Sequence, residues 1–146
     1  MASDATSAPG YDETLETARQ ALRHLAASAQ SGEATPRLLA LCDPGIEVDA
    51  SRRIFNPAVY AGREGMRRLV REMWEAWDGF FHEEEELIAD GDRVLSIHII
   101  GGRGRASGAE ARSRSALLFT VEGGIVTRVV AYSDPDEARR DLLLPG

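Results

Sequence analysis

The chain has 146 residues, of which 43% are hydrophobic and 28% are charged, and its formal net charge is −7. This length fits one domain with a substantial core, so we expect a single domain over residues 11–146 after a disordered tail over residues 1–10. The acidic balance argues against a nucleic-acid partner, because nonspecific binding of this kind needs clustered positive charge.

The first half of the chain is predicted to be mainly helical. Apolar residues at helical spacing indicate a helix from residue 12 to about residue 31 and a short helix over residues 36–41. A short strand over residues 46–50 follows. A third helix is predicted over about residues 63–77, because its apolar residues fall on one stripe while its arginines and glutamates fall opposite.

The second half of the chain is predicted to be a sheet. Turn-forming residues separate four segments with strand character. These segments are residues 81–89, 93–100, 109–121 and 125–132. Asp134 and Glu137 then indicate the start of a short C-terminal helix. Helices that are segregated from an antiparallel meander define an α+β fold.

The strand over residues 93–100 carries apolar side chains on both of its faces. Leu95 and Ile97 point to one face, whereas Val94 and Ile100 point to the other. One face can pack on the helices, and the other face then needs a partner. We therefore expect a homodimer that forms through the outer face of the meander.

Five segments of the chain follow the pattern of a known superfamily. They are residues 41–49, 60–65, 67–77, 90–94 and 119–126. Together they resemble the nuclear transport factor two-like superfamily, which includes SnoaL-like polyketide cyclases and ketosteroid isomerases, from about residue 11 to residue 143. The resemblance implies a cone-shaped, curved antiparallel sheet packed on about three N-terminal helices, a cystatin-like α+β roll. It also implies a largely apolar cavity, usually in a homodimer, but no single function.

Asp49 is the first candidate catalytic residue. In this resemblance it stands where a ketosteroid isomerase has its catalytic aspartate, which moves a proton next to a carbonyl group in an apolar pocket. The alternative is a solvent-facing side chain, since Glu47 and Asp49 alternate with Ile46 and Val48. A register slip of one residue would place Ala50 at the site instead.

The other residues that known enzymes of this superfamily use are missing. The two oxyanion donors of the isomerases would fall near Leu25 and Leu117, and each missing donor withdraws about 2.7–4 kcal/mol of stabilisation from an enolate. Residues 129–131 lack the aspartate of the SnoaL-like cyclases. An epoxide hydrolase on this fold uses an arginine and two aspartates, but no aspartate accompanies Arg112 and Arg114 on their strand.

His98 is the second candidate catalytic residue. It lies inside an apolar strand, in phase with Val94 and Ile100. A cavity-facing imidazole could act as a general base or as a polar anchor for a ligand. The alternative is a histidine whose hydrogen bonds are satisfied in the core or at an interface.

Aromatic residues are the candidate walls of a ligand pocket. Trp74 and Trp77 lie one helical turn apart on the apolar stripe of the third helix. This spacing suits a pocket for a small apolar or ring-shaped ligand, and it equally suits a plain core. The full set of candidate ligand-binding residues is Tyr60, Trp74, Trp77, Arg114, Phe119 and Tyr132.

Metal ions, cofactors and membranes are not expected as partners. Three scattered histidines and the single Cys42 lack the spacing of a metal site, and Cys42 is interpreted as a small buried hydrophobe. No apolar run approaches the roughly 20 residues of a membrane span. A chain with a lone cysteine and no signal peptide is expected in the cytoplasm.

Two functions are compatible with these features of the sequence. The first is a small-molecule enzyme of the isomerase, cyclase or hydrolase type, which would act through Asp49, His98 or both in an internal cavity. The second is a non-catalytic ligand-binding or dimerisation module. The missing oxyanion donors favour the second function, whereas a carboxylate and a histidine in one apolar cavity would favour the first.

Overall fold

The computed structural model describes residues 11–53 and 56–144, so the predicted tail over residues 1–10 lies outside the described residues. The described elements are α1 (Tyr11–Ser31), α2 (Pro36–Leu41), β1 (Cys42–Arg52), β2 (Val59–Ala61), α3 (Gly62–Ala76), β3 (Trp77–Asp90), β4 (Arg93–Gly104), β5 (Glu110–Glu122), β6 (Ile125–Tyr132) and α4 (Pro135–Leu142). None of these helices combines the length and the apolar character that crossing a membrane requires.

The strands form one curved mixed sheet in the order β2–β1–β6–β5–β4–β3. Neighbouring strands are antiparallel except β1 and β6, which run parallel with Val48 opposite Val129. The turn between β3 and β4 contains Gly91 at a φ of +64°, which glycine adopts without strain. The predicted α+β roll is therefore confirmed, and the parallel pair is an addition to the predicted meander.

Several elements differ from their predicted bounds, and β3 (Trp77–Asp90) and β4 (Arg93–Gly104) extend beyond the predicted strands over residues 81–89 and 93–100. β1 is longer than the predicted strand over residues 46–50. The third helix, α3, ends at Ala76, and Trp77 already has the extended backbone of β3, with φ −127° and ψ 136°. Trp77 therefore does not belong to the apolar stripe of the helix.

The inner face of the sheet is the face that packs on α1, α2 and α3. Its buried core combines Leu22 of α1, Leu38 of α2 and Val70 of α3 with Val48 of β1 and Val94 of β4. Full burial of one such side chain stabilises the fold by roughly 1.5–3 kcal/mol. This core holds the helices on the sheet.

The outer face of the sheet carries a second core, which the C-terminal helix covers. Ala138 and Leu142 of α4 are buried in one cluster with Leu95 and Ile97 of β4. Asp134 caps this helix by accepting a hydrogen bond from the N–H of the second residue after it. The outward-facing Leu95 and Ile97 of β4 are thus covered by α4 of the same chain, and these two side chains do not require a partner. The homodimer stays a prediction.

Ion pairs cross the outer face beside this second core. They join Glu83 to Arg112 at 2.9 Å, Glu85 to Arg114 at 2.8 Å, and Glu86 to Arg139 of α4. Glu83, Glu85 and Glu86 of β3 therefore form ion pairs with arginines instead of being surrounded only by water. Exposed pairs of this kind stabilise a fold only weakly, so their main effect is on the charge of this surface.

We expect Leu142→Ala to lower the free energy of unfolding by about 2–3 kcal/mol, because it leaves a cavity in the outer core. Leu142 is 5% exposed, whereas the next residue, Leu143, is 80% exposed. Leu143→Ala is therefore the matched control, and its effect should stay within about 0.5 kcal/mol. Urea unfolding followed by circular dichroism measures both changes. Equal effects would show that α4 does not dock on the sheet in solution.

Candidate functional site

A cavity of about 410 Å³ lies between the inner face of the sheet and the helices. Its walls are mostly apolar and include Leu22 and Leu25 of α1, Leu69 of α3 and Phe119 of β5. Pockets that hold small molecules typically have volumes of roughly 300–1,000 Å³. The cavity therefore has the size and the lining of a site for a small molecule.

Two histidines on adjacent strands form a polar part of the cavity wall. The rings of His98 on β4 and His82 on β3 have centroids 5.0 Å apart and planes at 71°. The Oγ of Ser96 makes a hydrogen bond of 2.9 Å with Nδ1 of His98, which orients that ring.

Burial keeps both imidazoles neutral at neutral pH. His98 is 3% exposed, and its burial, together with the nearby His82, lowers its pKa to about 4. Burial also lowers the pKa of His82, against an opposing effect of Glu84. A neutral imidazole carries one donor and one acceptor nitrogen, so the pair can donate a hydrogen bond to a ligand or accept one from it.

Asp49 lies on the outer face of the sheet, so the expectation that it enters the cavity is wrong. Alternation along β1 places Val48 and Ala50 in the cavity wall and Asp49 opposite. Its carboxylate accepts hydrogen bonds from the N–H and the hydroxyl of Ser51, at 3.0 and 2.5 Å. These bonds, with a smaller effect of Arg128, lower the pKa of Asp49. A base in an apolar pocket has a raised pKa, so the geometry does not support that role.

Trp74 and Tyr60 do not border the cavity either, contrary to prediction. The ring of Trp74 packs against Gly32 at the end of α1, is 37% exposed, and lies 4.5 Å from the guanidinium of Arg105. Tyr60 is buried in the inner core, and its hydroxyl donates to Glu72 at 2.5 Å. The apolar stripe of α3 thus extends past the cavity and covers the end of α1.

Four other predicted ligand-binding residues do line the cavity, namely Trp77, Arg114, Phe119 and Tyr132. Two of their polar groups are already engaged. The hydroxyl of Tyr132 donates to an aspartate of α4 at 2.6 Å, and Nε of Arg114 donates to Glu85 at 2.8 Å. Trp77 and Phe119 are therefore apolar walls, and contact of any of the four with a ligand stays a prediction.

Two polar residues of the cavity wall, Arg53 and His82, were missed by the sequence analysis. Nε of Arg53 and Nε2 of His82 are buried without a hydrogen-bond partner among the described residues. If β3 and β4 paired residue by residue from their hairpin turn without interruption, Glu83 and not His82 would lie opposite Ile100. A β-bulge between Glu84 and Glu86 shifts the pairing by one residue and turns His82 inward.

Cys42 lines the cavity as a neutral thiol. Its burial raises its pKa to about 11, although Arg63 partly opposes this effect. A thiol in this state is a weak nucleophile, which agrees with its interpretation as a small buried hydrophobe. Within residues 11–53 and 56–144, no group of three or more His, Cys, Asp or Glu side chains is placed to hold a metal ion.

Several solved structures share this fold at low sequence identity. An NTF2-like protein from Anabaena variabilis ATCC 29413 aligns with a TM-score of 0.73 and 17% identity, covering 88% of this chain and 95% of that chain. A protein from Jannaschia sp. CCS1, provisionally described as a SnoaL-like polyketide cyclase, aligns with a TM-score of 0.69 and 15% identity, covering 96% and 98%. No curated protein matches the chain.

A third solved structure with this fold carries a different description. A protein from Kribbella flavida DSM 17836, provisionally described as a ketosteroid isomerase, aligns with a TM-score of 0.65 and 18% identity, covering 84% of this chain and 78% of that chain. At these identities the alignments establish the fold alone. The model of the SnoaL-like domain family, however, matches residues 18–129 of the sequence. The chain therefore belongs to the SnoaL-like domain family.

Proposed function

We propose that this protein binds one small, mostly apolar molecule in the cavity between the sheet and the helices. The observation that carries this proposal is the cavity itself, about 410 Å³ in volume and lined mainly by aliphatic and aromatic side chains. Transfer of an apolar molecule from water to such a wall is favourable in proportion to the area that it buries. Binding of this kind needs no catalytic carboxylate.

The neutral histidine pair supports a role in orienting the bound molecule. His98 is held by Ser96, whereas Nε2 of His82 is buried without a partner among the described residues. Apolar pockets commonly use a few fixed polar groups to orient their ligands. A ligand hydroxyl or carbonyl that reaches His82 would satisfy this nitrogen.

Proton transfer on the bound molecule is the second candidate function, and it is the kind of chemistry that isomerase and cyclase names of structural neighbours imply. The histidine pair favours it, because both imidazoles are neutral and line the cavity. Two observations weigh against it. A base with a pKa of about 4 is a weak proton acceptor at neutral pH. Among the described residues, no aspartate or glutamate lines the cavity.

We expect Ala26→Phe to weaken binding of the neutral fluorescent probe N-phenyl-1-naphthylamine by about tenfold or more, because the new ring occupies part of the cavity. Ala26 lines the cavity on α1, whereas the next residue, Ala27, is exposed. Ala27→Phe is therefore the matched control and should leave the affinity within about twofold of the wild type. The rise in probe fluorescence on titration measures each affinity.

Binding of the probe that is equally strong in both variants would contradict the proposed site. The melting temperature of each variant, measured by circular dichroism, separates occlusion of the cavity from loss of the fold. A wild-type protein that does not bind the probe at all would count against the proposed function.

The buried His98 is expected to make stability depend on pH. Its folded pKa of about 4 lies below its ordinary value of 6.5, so the unfolded chain binds this proton first as the pH falls. Above pH 6.5 this group does not lower the free energy of unfolding. As the pH falls from 6.5 toward 4, protonation of the unfolded chain lowers the free energy of unfolding by about 3 kcal/mol.

His98→Asn should therefore flatten the dependence of unfolding free energy on pH, because asparagine does not titrate but keeps a hydrogen-bonding group near Ser96. His24 does not line the cavity, and His24→Asn is the control for replacing a histidine by asparagine elsewhere in the fold. Urea unfolding at a series of pH values measures the slopes. A variant at position 98 that keeps the full wild-type slope would show that this imidazole is not buried in solution.

A further inference from the structure

The charge of the cavity wall is opposite to the charge of the chain. The protein has 24 acidic residues and a net charge of −7, yet no aspartate or glutamate occurs among the described residues of the wall. Among the described wall residues, Arg53 is the one cation without an ion pair, because Arg114 pairs with Glu85 and burial keeps the two histidines neutral. A low-dielectric cavity with a positive group and no negative one favours anionic over cationic ligands.

Strand pairing brings the polar wall residues of β3, β4 and β5 together. His98 pairs with Ser115, and Ile100 pairs with both Ser113 and His82. Paired residues share a face of the sheet, so the two serines and the two histidines form one polar patch on the inner face. All four of them line the cavity.

Arg53 lies just past the end of β1 and lines the same cavity as this patch. The residue before it pairs with Tyr132 of β6, which in turn pairs with Ala116 of β5, the neighbour of Ser115. The cavity wall therefore combines an apolar lining with these polar side chains and the guanidinium of Arg53.

Arg53 is a cavity cation that forms no ion pair among the described residues, although the Tyr60 hydroxyl beside it donates to Glu72. One of its terminal nitrogens donates to the carbonyl of Asn56 at 2.8 Å and to the hydroxyl of Tyr60 at 3.1 Å, which holds the guanidinium in place. Among the described residues it has no ion pair, and its Nε is buried without an acceptor. Arg114, in contrast, is paired with Glu85.

A buried guanidinium donor without an acceptor is unfavourable, and the group that best supplies one is an anion. Hydrogen bonds between a guanidinium and a carboxylate are about twice as strong as neutral ones. An apolar molecule with an acidic head group would bury its rings among the aliphatic residues and place its charge beside Arg53.

We propose that the cavity selects an apolar carboxylic acid, and that Arg53 is the residue that recognises its carboxylate. This inference rests on the proposed function, because it specifies the ligand class of the same cavity. The histidine pair then serves neutral polar groups on the body of the ligand.

Three ligands with the same ring system test this proposal at neutral pH. They are 2-naphthoate, 2-naphthamide and 2-(aminomethyl)naphthalene, which carry an anionic, a neutral and a cationic head group. Displacement of N-phenyl-1-naphthylamine from the wild-type protein gives their relative affinities. We expect 2-naphthoate to bind about tenfold or more tightly than 2-naphthamide, and the amine to bind most weakly.

Variants of Arg53 assign the preference to one side chain. Arg53→Met should remove the preference for 2-naphthoate, a loss of about tenfold or more, and leave the affinity for 2-naphthamide within about twofold. Arg53→Lys, which keeps the charge but not the fork of donors, should retain part of the preference. Arg52→Gln is the matched control, because the adjacent arginine pairs with Glu137 and does not line the cavity.

Several outcomes would overturn the inference. One is equal binding of 2-naphthoate and 2-naphthamide to the wild type, a result that needs no variant and therefore no assumption about folding. Others are an equal loss for both ligands in Arg53→Met, or an equal loss of preference in Arg52→Gln. If the probe and the amide bind without any preference for the anion, the ligand class is wrong but the binding function stands. If neither binds, the proposed function itself fails.

Discussion

The parallel pairing of β1 with β6 is the interaction on which the rest of the structure depends. It joins the N-terminal helices and β1 to the later strands, so that the first and last strands of the chain lie side by side within one sheet. Because side chains alternate along a strand, this one register places Val48 in the cavity wall and Asp49 on the outer face. The pairing thus decides which residues of β1 line the cavity, and Arg53, which also lines it, follows directly after the strand.

The cavity combines favourable and unfavourable contributions to stability. Its aliphatic lining is part of the core that holds the helices, whereas Arg53 and His82 each bury a nitrogen without a partner among the described residues. A buried group of this kind destabilises a fold by about 1–3 kcal/mol. A ligand that supplies the missing partners would offset this free energy. The two nitrogens support the proposed binding site, because an empty packing defect is normally lined by apolar atoms.

The outer face of the sheet shows how a single chain can cover a strand that carries apolar side chains on both faces. Leu95 and Ile97 need cover, and Leu142 of α4 supplies it without a second chain. Arginines of β5 and α4 pair with the acidic run of β3 beside that cover. A partner that binds this face would therefore meet ion pairs beside α4 and the exposed Leu143 and Leu144 at the end of that helix.

The sequence by itself determined the type and order of every described element except the short β2, because periodicity, caps and turn residues act over a few neighbouring positions. The sequence also named His98 and Phe119 as candidate site residues, and both line the cavity. Tertiary structure alone decided the rest of the site. The end of α3 at Ala76 separates Trp77 from the helical stripe, the register of β1 turns Asp49 outward, and the bulge in β3 turns His82 inward. Each of these outcomes depends on a shift of one residue, set by contacts between segments far apart in the chain, so no local pattern contains it.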